Sequence, residues 1–105
     1  MPRSLLPGTG KTTVAEIYGR ILKDLGYLSK GEVIERKASQ LVGSVVGKTE
    51  EIMNSLLDQA KGSVLIIDEA YSLTKDGSYG AIALEILVHR VQGYPGEDIA
   101  VILCG

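Results

Sequence analysis

Three stretches of the chain repeat apolar residues at helical spacing. Over residues 11–25 they recur at offsets of three and four, which predicts a helix that Gly26 terminates; its apolar stripe is Val14, Ile17, Tyr18, Ile21, Leu22 and Leu25. A second helix is predicted to begin near Thr49 as its N-cap and to reach Gly62. The third, over residues 79–92, is apolar on most faces and is therefore expected to be well buried.

Short apolar runs between these helices predict strands. Residues 64–67 and 99–103 are rich in β-branched side chains and flanked by turn-forming residues, and residues 32–37 are a weaker candidate. Helices that alternate with buried strands are typical of a three-layer α/β fold with a parallel sheet and right-handed crossovers.

Composition and charge narrow the class of protein. The chain has 105 residues and 45% hydrophobic content, which fits at most one globular domain. Its net charge of −2 comes from mixed signs without a basic block, so neither nucleic acid nor a membrane surface is expected as a partner. Cys104 has no second cysteine to pair with, and no run is long enough to span a membrane. A cytoplasmic location is therefore the expectation, with the nucleus as the alternative.

A glycine-rich segment precedes the first predicted helix. The start of a helix offers free backbone N–H groups and a positive dipole end, and glycines let the backbone wrap a phosphate. Lys11 is expected to reach the β- and γ-phosphates of ATP, and the Thr12 hydroxyl to ligate Mg²⁺. Leu5 stands where the consensus has its first glycine. The pattern predicts a P-loop composed of Pro7, Gly8, Thr9, Gly10, Lys11, Thr12 and Thr13.

Two carboxylates, Asp68 and Glu69, directly follow the apolar run 64–67. Ligands of open α/β sheets bind at the carboxyl ends of the strands. Asp68 is therefore expected to bind ATP-associated Mg²⁺ together with Thr12, and Glu69 to be the catalytic residue that orients or deprotonates the attacking water. The alternative, an acidic pair that merely ends a strand in solvent, is disfavoured by the P-loop upstream.

The order of three motifs resembles AAA+ ATPases of the CbxX/CfqX type. The motifs are residues 7–15, then residues 41–49, then residues 66–73. The resemblance implies the large subdomain of an AAA+ protein, a P-loop NTPase that works as a homo-oligomeric ring, usually a hexamer, and remodels a protein substrate threaded through its pore. It also implies that residues 41–49 form the pore loop, with Val45 where an aromatic residue is usual. An ordinary strand-to-helix connection is the alternative for that segment.

Measured against that family, residues 1–105 are expected to form a partial nucleotide-binding core, incomplete at both ends. Most of the first strand is missing ahead of the P-loop, and the sensor, arginine finger and lid cannot be assigned. The chain alone is therefore expected to fold poorly and to hydrolyse ATP slowly or not at all. A non-hydrolysing nucleotide-binding or interaction module is the alternative function. A nucleic-acid helicase ranks last, because basic stripes and stacking aromatics are missing.

Overall fold

The computed structural model describes residues 8–43, 46–75, 77–93 and 98–105. In chain order the α-helices and strands are α1 (Gly8–Asp24), β1 (Val33–Lys37), α2 (Val46–Gln59), β2 (Val64–Asp68), α3 (Gly77–Gly93) and β3 (Ala100–Leu103), with short 3₁₀ helices at Ala38–Gln40 and Ala70–Thr74. The strands form one parallel sheet in the order β1-β2-β3, so the predicted α/β class with a parallel sheet is confirmed. Each strand differs from its predicted bounds by a single residue at one end.

Strand β2 lies at the centre of the sheet and is buried on both faces. Val64 and Ile66 pack on the side of α1, whereas Leu65 and Ile67 pack on the side of α2 and α3. None of these four side chains is more than 1% exposed. Burying each aliphatic side chain contributes roughly 1.5–3 kcal/mol, so this strand is a principal source of stability. Helices on both faces give the three layers that the alternation of elements predicted.

Most of the apolar stripe that predicts α1 lies away from the face by which α1 packs on the described sheet, and Leu22 is the member that packs there. Val14, Ile17 and Ile21 are each about half exposed, whereas Ala15 on another face is 1% exposed. Gly19 is also buried, and a Cβ added to it would lie 2.5 Å from the carbonyl oxygen of Gly31. Small residues thus bring the helix close to the chain beneath it. The periodicity located the helix but missed this face, because alanine and glycine add little to an apolar pattern.

Gly26 ends α1 as predicted. Its φ is +87°, a backbone angle that residues with a Cβ atom adopt only at a cost in free energy. The N–H of Gly26 donates to the carbonyl of Lys23 at 3.0 Å, and the N–H of Tyr27 donates to the carbonyl of Leu22 at 2.8 Å. This is the hydrogen-bond pattern of a Schellman motif, which satisfies the last carbonyls of the helix.

Helix α2 begins at Val46, so the prediction that Thr49 caps it is wrong. Thr49 lies inside the helix and is fully buried, and its Oγ1 accepts the N–H of Gly43 at 2.9 Å. The hydroxyl therefore forms a hydrogen bond with the preceding loop and does not cap the helix. Val45, the residue on which the pore-loop interpretation depends, lies outside the described residues.

Helix α3 buries one face, not most of its surface as predicted. Ala83 and Leu87 are buried, but Val88 is 52% exposed. Arg90 fastens α3 to α2, since its guanidinium lies 2.9 Å from Oδ1 of Asp58 and donates to the carbonyl of Asn54. None of the helices in the described ranges combines the length and the apolar content needed to cross a membrane.

Replacing Gly19 with alanine tests the close approach of α1. Alanine favours a helix over glycine by up to about 1 kcal/mol, but the added methyl group meets the Gly31 carbonyl. We expect Gly19→Ala to lower the free energy of unfolding by about 1–3 kcal/mol, a typical cost of overpacking, as measured by urea denaturation. Gly47→Ala in α2 is the matched control, because a Cβ there has no neighbour within 4 Å, and it should stabilise the fold. An equal increase in the free energy of unfolding for Gly19→Ala and Gly47→Ala would contradict the close contact between Gly19 and the Gly31 carbonyl.

Candidate functional site

Two segments that are far apart in sequence meet at the carboxyl edge of the sheet. Asp68 ends β2, and strand alternation puts its side chain on the face of Ile66, which α1 covers. Lys11 lies in the first turns of α1. Its Nζ is 2.8 Å from Oδ2 of Asp68. The structure therefore brings together the lysine and the aspartate that the sequence assigns to one site.

The Lys11–Asp68 pair is largely shielded from solvent, with side-chain exposures of 14% and 20%. The hydrogen bond from Lys11 holds the pKa of Asp68 below its ordinary value of 3.8, against the opposing effect of desolvation. The backbone N–H of Glu69, which donates to Oδ1 at 2.9 Å, and the charge of Lys37 act in the same direction as Lys11. The hydrogen bond to Asp68 likewise raises the pKa of Lys11. Both groups are thus charged at neutral pH.

Thr12 contacts a residue that the sequence analysis did not identify. Its Oγ1 donates to Oε1 of Glu35 at 3.2 Å. Glu35 lies in β1 opposite Ile66 of β2, on the face that α1 covers. A signal was present in the sequence, because Glu35 directly follows the two apolar residues of the strand predicted over residues 32–37. What the sequence did not reveal was that this strand is the direct neighbour of β2.

Glu69 has a left-handed backbone, with φ 56° and ψ 39°. Among the described residues, Glu69 is the only non-glycine residue with a positive φ. Neighbouring hydrogen bonds hold this turn: the carbonyl of Glu69 accepts a hydrogen bond from the N–H of Ser72 at 3.0 Å, and the N–H of Ala70 donates to the backbone carbonyl of Cys104 at 2.7 Å. A conformation of this kind costs on the order of 1–3 kcal/mol and is concentrated at functional sites.

The remaining residues of the predicted P-loop lie at the start of α1. This helix begins at Gly8, earlier than the predicted start at Lys11, so Gly8, Thr9 and Gly10 are helical. The first N–H groups of a helix have no partner within it, so the N–H groups of this turn form the positive end of α1. Thr13 is exposed, and Pro7 lies outside the described residues.

The oxygen donors at this site suit Mg²⁺. Thr12 offers a hydroxyl and Asp68 a carboxylate, which are ligands of the kind that hard cations prefer. Within the described ranges no group of three or more His, Cys, Asp or Glu side chains could hold a metal ion. Mg²⁺ commonly binds through one or two protein ligands, with phosphate oxygens and water completing its shell, so this donor set fits it.

Comparison with known proteins identifies the family of the chain. The family described as "ATPase family associated with various cellular activities (AAA)" matches residues 6–105. The chain belongs to the AAA ATPase family. Membership supports nucleotide binding of the ATPase type and agrees with the family resemblance drawn from the motifs.

Similar proteins within the AAA family come from bacteria and algae. The chain is 39% identical over 98 residues to stage V sporulation protein K of Bacillus subtilis, covering 91% of this chain and 30% of the relative. It is 45% identical over 102 residues to the chloroplastic ribulose bisphosphate carboxylase/oxygenase activase of Cyanidioschyzon merolae, covering 94% and 33%. It is 42% identical over 102 residues to protein CbxX of Cupriavidus necator, covering 94% and 32%. The chain thus spans about a third of the length of these relatives.

The ion pair predicts a defined dependence of stability on pH. Because the folded pKa of Asp68 is lowered, its contribution is complete above the ordinary value of 3.8 and is lost as pH falls through the folded pKa. We expect wild type to be more stable than Asp68→Asn by a constant amount between about pH 5 and 9, and this difference to vanish in acid. Urea unfolding of both proteins across this pH range measures it. A difference that persists at the lowest pH would contradict the ion pair.

The backbone of Glu69 predicts that glycine stabilises the fold at this position. A left-handed conformation costs an L-residue roughly 1–2 kcal/mol, partly offset by the larger chain entropy that glycine loses on folding. We expect Glu69→Gly to raise the free energy of unfolding by up to about 1 kcal/mol. The same substitution at Glu85, within α3, should lower it by about 1 kcal/mol. Thermal and urea unfolding compare the two, and losses of equal size would refute the strained turn.

Proposed function

We propose that the chain binds ATP with Mg²⁺ between the start of α1 and the end of β2. The observation that carries this proposal is the 2.8 Å distance between Nζ of Lys11 and Oδ2 of Asp68. A triphosphate with its metal presents anionic oxygens and a cation side by side. The ammonium group of Lys11 and the start of α1 are positive and would attract the phosphate oxygens. The carboxylate of Asp68 is negative and would attract the metal ion.

Each residue of the site has a proposed role in binding. The N–H groups of Gly8, Thr9 and Gly10 and the ammonium of Lys11 would bind the phosphates, with Pro7 and Thr13 at the borders of the loop. The Thr12 hydroxyl and the Asp68 carboxylate would hold the metal. When bound, Mg²⁺ neutralises charge on the β- and γ-phosphates.

We propose that Glu69 is the catalytic base for hydrolysis when this core is part of a complete AAA protein. A water oxygen forms a bond to the γ-phosphorus while the bond from this phosphorus to the bridging oxygen breaks, and the carboxylate takes the water proton. The hydrogen bonds around the left-handed turn support this role, because they fix the backbone from which the side chain of Glu69 extends.

We further propose that a complete AAA protein with this core assembles as a homo-oligomeric ring, usually a hexamer, and remodels a protein substrate. AAA membership supports assembly, and one relative is named an activase of another enzyme. The mixed charges of this chain favour a protein over nucleic acid or membrane as its partner. Some relatives are named chloroplastic and others come from bacteria, so the comparisons give no support to the nuclear alternative.

Calorimetric titration of the chain with Mg-ATP tests the binding proposal. We expect Lys11→Ala and Asp68→Asn each to weaken binding at least about tenfold, because a hydrogen bond to a charged group contributes roughly 1.5–3 kcal/mol. Glu32→Gln is the control, since this carboxylate precedes β1 at the amino end of the strands, whereas the site lies at their carboxyl end. Binding that survives both site substitutions would refute the assignment.

Turnover separates the proposed base from the binding residues. Glu69→Gln should bind Mg-ATP as wild type does but lower phosphate release at least about 100-fold, the smaller end of general-base contributions. The measurement is made in a complete AAA protein that contains this core, with Glu32→Gln again as control. Turnover by Glu69→Gln at the wild-type rate would eliminate Glu69 as the base. If the unsubstituted protein binds Mg-ATP but releases no phosphate, the alternative of a non-hydrolysing module is favoured.

A further inference from the structure

We propose that Lys37 is a further phosphate-binding residue, whose ammonium group contacts the terminal phosphate of Mg-ATP and makes the site prefer a triphosphate to a diphosphate. The inference rests on the proposed function, because it adds a specificity-determining residue to that same site. Lys37 is the last residue of β1 and belongs to neither the P-loop nor the acidic pair.

The register of the sheet places Lys37 beside the carboxylate proposed to bind the metal. Lys37 pairs with Asp68 across the parallel strands β1 and β2, and each is the last residue of its strand. Residues two apart along a strand lie on the same face, and Glu35, two residues before Lys37, contacts Thr12 of α1. Lys37 and Asp68 therefore lie on the face that α1 covers. Since paired strands are about 4.8 Å apart, the two side chains start as neighbours at the carboxyl edge of the sheet.

The side chain of Lys37 extends from a backbone that is held in place. The N–H of Lys37 donates to Oε1 of Gln40 at 2.8 Å. Ala38, the next residue, is fully buried in the core beneath α2 and α3. The side chain of Lys37 itself is exposed, and its ammonium group forms no ion pair with any residue that the structure describes. It can therefore bind a phosphate without giving up a protein partner.

The balance of charge at this edge requires a second cation. The pKa of Asp68 is lowered chiefly by its hydrogen bond from Lys11, and the charge of Lys37 lowers it further, so Lys37 acts on the site. Glu35 lies on the same face, and its carboxylate adds a second negative charge. Without Lys37 the two carboxylates would outnumber Lys11 and repel a triphosphate. With Lys37 the side-chain charges cancel, and the positive end of α1 and the bound metal provide the net attraction.

The position of Lys37 next to Asp68 favours the terminal phosphate as its ligand. Mg²⁺ in such sites bridges oxygens of the β- and γ-phosphates, and Asp68 would hold it. The N–H groups at the start of α1 serve the phosphates that lie against the helix. A cation on the strand beside the metal ligand is then placed for the γ-phosphate, which ADP lacks. The contact of Lys37 would therefore be made with ATP and lost with ADP.

Calorimetric titration of the 105-residue chain with Mg-ATP and with Mg-ADP measures the preference as the ratio of the two dissociation constants. We expect Lys37→Ala to weaken binding of Mg-ATP about three- to tenfold, because solvent partly screens an exposed cation, and to change binding of Mg-ADP by less than about twofold. Lys37→Arg keeps the charge and should keep the preference. Lys61→Ala is the matched control: it removes the same charge from an exposed position before β2, at the amino end of the strands, and should leave both constants unchanged.

The outcomes distinguish this inference from the proposed function. An unchanged preference in Lys37→Ala, or an equal loss of affinity for Mg-ATP and Mg-ADP, overturns the role of Lys37 and leaves nucleotide binding intact. An equal loss of preference in Lys61→Ala also overturns it, because net charge and not position would then be the cause. Urea unfolding establishes that each protein is folded. Failure of the folded wild-type chain to bind Mg-ATP overturns both proposals together.

Discussion

The burial of β2 on both faces is the constraint from which the candidate site follows. With apolar side chains packed on each side and parallel partners at both edges, the strand cannot slip by one residue without exchanging its two faces. Such a slip would turn Asp68 from α1 toward the core beneath α2 and α3 and bury a charge there. The packing of four aliphatic residues thus determines where one carboxylate lies.

The ion pair between Lys11 and Asp68, at the end of β2, stabilises the fold and also lies in the candidate site. Either charge alone, shielded as it is, would incur a desolvation cost, whereas together Lys11 and Asp68 satisfy each other. In the proposed complex each group exchanges its partner for a ligand group of the same sign, since phosphate replaces a carboxylate and a cation replaces an ammonium. The site can therefore take up its ligand without leaving either protein charge unpaired.

The residues of the site were easier to predict from sequence than the faces of the helices. The strand that ends in Asp68 was predictable because both of its faces are apolar, and Lys11 because glycines and a helix start surround it. The packing face of α1 was predictable only at Leu22, since its other members, Ala15 and Gly19, are small. The capping role predicted for Thr49 was wrong because a buried hydroxyl can bond to a loop as well as to a helix end. Glu35 depended on strand order, which only the folded sheet reveals.

The small-residue face of α1 has a consequence for the site. A lysine side chain has several rotatable bonds, so Lys11 could reach Asp68 from a range of helix positions. Thr12 has a short, β-branched side chain with restricted rotamers, and its contact with Glu35 requires the helix to lie close to β1. Gly19, which packs against the Gly31 carbonyl, supplies that closeness. A bulkier residue there would move α1 away from the sheet and break the contact of Thr12 before that of Lys11, so the glycine affects the position of Thr12 more than that of Lys11.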